Sequence, residues 1–206
     1  MAYETESRRP TFAEFTYTFV PFALLITAGN LAAEASPNPT LGRVVYSMWI
    51  AMALAAPALV LFGLYDLRRA PAAAYNYWRL FWTFAYLAYL AHFYYSVGMF
   101  FGWDVHAIAD RQTWPVAITN FVVTGVWGLE VLAAWTGRHY GAGFHVFQWF
   151  SHLLVLGAII VAAIVFKSGF VSALGWALVG SFGLALLTRL LFGELSAWRE
   201  RAAGAA

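Results

Sequence analysis

Six long apolar stretches, set apart by short polar breaks, constrain this chain more than any other feature. They take up most of its 206 residues, of which 62% are hydrophobic and only 11% charged. Soluble domains carry about 25% charged residues. Surfaces of this composition need hydrocarbon as their solvent. Hydrocarbon admits only helices or closed barrels, because every backbone polar group must be satisfied within the protein. The apolar runs are continuous rather than alternating, which argues for helices. The expected fold is therefore all-α, a single polytopic membrane helix bundle over residues 1–206.

The expected spans cover residues 12–31, 41–64, 77–101, 114–135, 144–166 and 170–192. Each is close to the ~20 residues that cross a hydrocarbon core as a helix. Pro21 and Pro57 fall inside the first two, where each removes a backbone donor and predicts a kink. Residues 193–206 read as an amphipathic or frayed tail, with Leu190–Arg201 lying on the membrane surface as a helix. Ala33-Glu34-Ala35 has the small-x-small form of a signal-peptide cleavage site. Against cleavage, the stretch before it holds Pro21 and several hydroxyls, and its start carries Glu4, Glu6 and Glu14. An uncleaved first helix is the simpler reading.

Counting Lys and Arg sets the expected orientation. Arg8, Arg9, Arg68, Arg69, Arg79, Arg138, Arg189, Arg199 and Arg201 fall on one side, and Arg43, Arg111 and Lys167 on the other. Both termini are thus expected in the cytoplasm, with the protein multi-pass in the cell (inner) membrane. The net charge of +2 is spread through loops, and no basic face or aromatic-basic motif points to nucleic acid. The absence of cysteine removes disulfides, iron–sulfur clusters and thiolate catalysis. Walker, GxSxG and HExxH motifs are absent, so the sequence lends no support to the common NTPase, hydrolase or zincin chemistries.

Ionisable side chains at bilayer depth are the default functional candidates, because burying them is costly. They are His92 in the third span, Glu130 in the fourth, and His145 and His152 in the fifth. His145 and His152 share a helix face with Gln148, about 10 Å apart along the axis. The short loop between the fourth and fifth spans makes those helices antiparallel neighbours, which brings Glu130 toward that face. His92 and His152 form the candidate axial pair for a b-type haem, although their expected depths differ by about 8 Å. Glu130, His145 and His152 form the candidate metal set. Each also has a bland reading, as a histidine bonded to a neighbouring carbonyl or a carboxylate reaching the interface.

The third span is dense in aromatic residues. Tyr86, Tyr89 and Phe93 form one stripe beside His92, suited to walling a flat ligand such as a quinone or haem, or simply to packing. Trp78, Trp82, Phe101 and Trp103 fit interfacial aromatic belts. Ala173, Ala177, Ser181 and Ala185 give a small-xxx-small face for close helix contact within the bundle or with another subunit. Asp104, His106 and Asp110 mark the outer loop, which reads as a hydrated segment or a weak cation site. Three functional classes follow. The first is an accessory module of a membrane complex or homo-oligomer, with a buried polar and aromatic pocket for an apolar cofactor or lipid, such as a b-type haem or quinone. The second is a small-solute or proton-coupled transporter using Glu130, His145 and His152 as a relay. The third is a membrane-embedded lipid enzyme.

Overall fold

The computed structural model describes residues 9–136, 141–165 and 169–203, with side chains described as far as residue 192. The described chain is helical, with no strand. Helix α1 spans Phe12–Glu34, α2 Pro39–Leu64 and α3 Ala72–Phe93, the last continuing as a π-helical turn over Tyr94–Phe100. A short α4, Val105–Gln112, leads directly into α5, Trp114–Thr136. Helix α6 covers Ala142–Ile159 and widens into a second π turn over Ile160–Val165, and α7 runs Phe170–Ala203.

Five of these helices are long and apolar enough to cross a membrane: α1, α2, α5, α6 with its π turn, and α7. Helix α3 has the length, 22 residues followed by a π turn of 7, but Asn76, Arg79, His92 and its tyrosines make it more polar. It packs against α1, α2 and α5. Its polarity is spent inward, since Asn76, Trp78, Arg79 and Trp82 are all buried. Trp78 and Trp82 are therefore core residues rather than members of an interfacial belt.

The surface is inverted relative to a soluble bundle. On α5, Glu130 is 0% exposed while Leu129 beside it is 60% exposed. Phe12, Leu24, Leu31, Leu184 and Phe192 likewise point outward. A contiguous apolar exterior of this kind is the mark of a lipid-facing protein.

Local chemistry explains where the helices begin. Thr11 and Glu14 form a capping box: Thr11 Oγ1 accepts from Glu14 N at 3.2 Å, and Glu14 Oε2 accepts from Thr11 N at 2.7 Å. Asn38 caps α2 by accepting from Leu41 N, with Pro39 in the first turn. Asp104 caps α4 by accepting from the amides of His106 and Ala107. The outer segment is thus not a plain loop. It forms a helix that buries Ile108 against Val97 and Ala117. Pro21 and Pro57 lie inside helices that run on through them. Past the apolar stretch the chain continues α7 as one 34-residue helix to Ala203. Arg8, Arg138, His139, Phe166 and Lys167 lie outside the described residues.

At the Asp66 end, the loop after α2 is held by Arg68, which donates to Asp66 from Nε and Nη2 at 3.0 and 2.8 Å. That hydrogen bond, aided by the Arg68 charge, holds the Asp66 carboxyl below the usual carboxylate range. Arg189 of α7 donates to Tyr65 O in the same loop. At the opposite end Arg43 pairs with Glu34. Helices α2 and α7 approach closely at Gly63, where an added Cβ would sit 3.0 Å from Ala185 Cβ and 3.3 Å from Phe182 O. A Gly63→Leu substitution is expected to push α7 off α2 at a cost of about 1–3 kcal/mol. Thermal unfolding of the detergent-solubilised variant checks this by a lowered midpoint.

Candidate functional site

Four helices converge on His152. Its Nδ1 lies 3.0 Å from Glu130 Oε1 of α5, with both side chains fully buried. The same Nδ1 lies 2.8 Å from Gln148 O, one turn back on α6. Its Nε2 accepts a hydrogen bond from Trp78 Nε1 of α3 at 3.1 Å. Phe62 of α2 stacks on one face of the ring, with centroids 3.7 Å apart and planes 12° from parallel. Trp82 of α3 stacks at 4.2 Å and 5°. Trp82 also donates its Nε1–H to Glu130 Oε2 at 3.0 Å.

These contacts fix the protonation of the imidazole. An indole N–H only donates, so Nε2 must be the bare nitrogen and Nδ1 must carry the proton. That single proton has two acceptors, and the ring geometry favours Gln148 O. Glu130 Oε1 touches Nδ1 closely but has no hydrogen bond of its own. The contact is thus an electrostatic one with the Nδ1–H rather than a full hydrogen bond. Trp127 Nε1, Gln148 Nε2 and Ser151 Oγ are further buried polar atoms without a hydrogen bond on the same two helices.

A second polar network ties α1 to α3 and α5. Asn76 Nδ2 donates to Glu14 Oε2 at 3.1 Å, and Arg79 Nη2 donates to Asn76 Oδ1 at 2.8 Å. The Arg79 guanidinium lies over the Trp135 ring at 4.3 Å, and Trp135 Nε1 donates to Thr83 Oγ1. Arg79 is therefore a buried structural cation, not a loop charge. Glu14 serves both the α1 cap and this network, so α1 is bound into the bundle through its first turn.

The expected site residues separate into groups. Glu130 and His152 meet. His145 lies two turns away on α6 and accepts from Trp149 Nε1 at 3.1 Å. Among the described residues no group of three or more His, Asp or Glu side chains is placed to hold a metal ion, so the set Glu130, His145 and His152 is not assembled as a metal centre. His92 Nδ1 bonds Val44 O of α2 at 2.8 Å. It lies ten residues beyond Trp82, which stacks on His152, a rise of about 15 Å along α3. His92 and His152 therefore stand at different levels. The His152 Nε2 that an iron would need is already bonded to Trp78, and haem binding gains no support. Tyr86 and Tyr89 are both engaged with α5. Their hydroxyls donate to the carbonyls of Thr124 and Asn120 on α5 at 3.1 and 3.2 Å, and both rings pack on Trp127.

Sequence reasoning missed Phe62, Trp78 and Trp82 as parts of the site. The available signal was the i, i+4 spacing of Trp78 and Trp82, which puts both on one face of α3.

The fold and its surface define a class: a multi-pass, all-helical membrane protein with a carboxylate–imidazole pair buried in its core. No protein-family model, curated protein or solved structure matches the chain.

The Trp82 contact carries a measurable consequence. Trp82→Phe keeps an aromatic ring against His152 but strips Glu130 Oε2 of its donor, at an expected cost of about 1–3 kcal/mol. Trp135→Phe, at a half-exposed position, should cost less than about 1 kcal/mol. Comparing the unfolding midpoints of the two variants in one detergent checks the difference.

Proposed function

We propose that this protein is a proton-handling membrane protein in which Glu130, held against His152, takes up and releases a proton at bilayer depth. The event would be coupled to movement of a proton or small solute across the membrane. The observation that carries this reading is the 3.0 Å contact between two fully buried ionisable side chains. Intramembrane carboxylates and histidines are costly to bury and recur in proton relays of pumps and transporters. Glu130 Oε1, which lacks a hydrogen bond, offers a position for the incoming proton. The buried groups of Gln148 and Ser151 offer hydrogen bonds to a proton-carrying water on the way.

A structural role for the pair, holding α5 to α6, would also use the contact, and titration separates the two. In a structural pair Glu130 keeps one protonation state across the physiological range. Infrared difference spectra of the reconstituted protein between about pH 5 and 8 are expected to show a carboxylic C=O band that titrates and is missing in Glu130→Gln. Absence of any such band in the wild type would overturn the reading.

Six crossings, with α3 as the interior one, and a cytoplasmic location for both termini in the cell membrane complete the proposal. Support comes from the charge distribution: Arg68, Arg69 and Arg189 lie at one end of the bundle, while Arg43 and Arg111 lie at the other. The chain has no cysteine, so single introduced ones report topology cleanly. Asp110→Cys should react with an impermeant maleimide in intact cells, and Arg69→Cys only after permeabilisation. The reverse pattern would invert the orientation.

A further inference from the structure

Resting on the proton-handling reading, we infer that Trp78 is a positioning residue that keeps His152 neutral and so directs the incoming proton to Glu130 alone. The argument starts from what each atom can do. Trp78 Nε1 lies 3.1 Å from His152 Nε2 and can only donate. A second proton on the imidazole would set N–H against N–H at that distance, inside a site where both side chains are completely buried. The imidazolium therefore requires Trp78 to withdraw. Trp78 is packed against Tyr75 at 5.4 Å, and Tyr75 in turn donates to Ala134 O, so the indole is braced from behind.

The other side of the ring completes the device. Nδ1–H has Gln148 O at 2.8 Å as well as Glu130 Oε1 at 3.0 Å. When Glu130 is a carboxylate, Oε1 gains from the nearby N–H. When a hydronium ion gives its proton to Oε1 and leaves as water, the Nδ1–H still has the Gln148 carbonyl. His152 thus needs no change of tautomer in either state of Glu130. The stacked rings of Phe62 from α2 and Trp82 from α3 would by themselves favour a cation between them. Trp78 is the contact that opposes it. Glu130 from α5 is the ionisable side chain in contact with His152 among the described residues. His145 is the next titratable group along α6, two turns nearer the loop that holds Asp66 and Arg68.

The test is nitrogen-15 NMR of histidine-labelled protein in lipid, with the His152 signals assigned by their loss in His152→Asn. In the wild type, Nε2 should stay unprotonated and Nδ1 protonated between about pH 5 and 8, while the Glu130 infrared band titrates in the same samples. In Trp78→Phe, which keeps a ring but removes the donor, His152 should accept a second proton. Its midpoint should rise by about one pH unit or more, a tenfold gain in proton affinity. A wild-type His152 that becomes doubly protonated while the Glu130 band still titrates would overturn the role of Trp78 and leave the proton-handling reading standing. A folded Trp78→Phe protein in which His152 stays neutral would overturn it equally. Titration of neither group would overturn the underlying reading and this inference with it. The wild-type spectra decide the matter even if Trp78→Phe does not fold.

Discussion

The contact between Glu130 and His152 sets the terms for everything around it. An ionisable pair buried this completely must be matched by donors and acceptors around it, or its burial is prohibitive. Here the matching comes from two indole N–H groups, one backbone carbonyl and two aromatic faces, drawn from α2, α3 and α6. The arrangement fixes the rotation of α3 and α6 about their axes, because a turn of either helix would move a tryptophan or the histidine off its partner. The packing of α2 follows through Phe62, which also meets Trp149 edge-on at 4.7 Å.

Helix α3 is the hub of this design. One face carries Trp78 and Trp82 to the pair. Another carries Asn76, Arg79 and Thr83 to Glu14 and Trp135. Farther along, Tyr86, Tyr89 and His92 reach backbone carbonyls of α5 and α2. A helix this polar can sit within a membrane bundle only when its neighbours consume its hydrogen-bonding groups. The aromatic density that reads in sequence as a ligand wall is explained by this role. Large rings give contact area, and their single polar atom gives direction.

The two polar clusters differ in what they can do. Glu14, Asn76 and Arg79 join a carboxylate, an amide and a guanidinium that keeps its charge at any physiological pH. That network has the character of a fixed tie between α1 and α3. Glu130 and His152 face tryptophans and phenylalanine instead, and among the described residues neither has an Arg or Lys partner. The hydrogen bond that reaches Glu130 comes from the Trp82 indole rather than from a charged group.

The amino-acid sequence by itself determined the class of molecule, the helical class of its elements and their approximate limits. Continuous apolar runs, prolines and cap residues act locally, within a turn or two of the chain. It also marked Glu130 and His152, because a carboxylate and an imidazole stand out in an apolar helix. It did not reveal which candidates meet. His92, His145 and His152 look alike in sequence, yet His92 spends its proton on Val44 O, His145 accepts from Trp149, and only His152 meets Glu130. Nor could it show that Trp78 and Trp82 serve the core rather than the interface, or that residues 105–112 form a helix capped by Asp104. Those outcomes depend on the rotation and depth of one helix against another. They are set by side-chain packing over residues 48 to 74 positions apart, which no local pattern encodes.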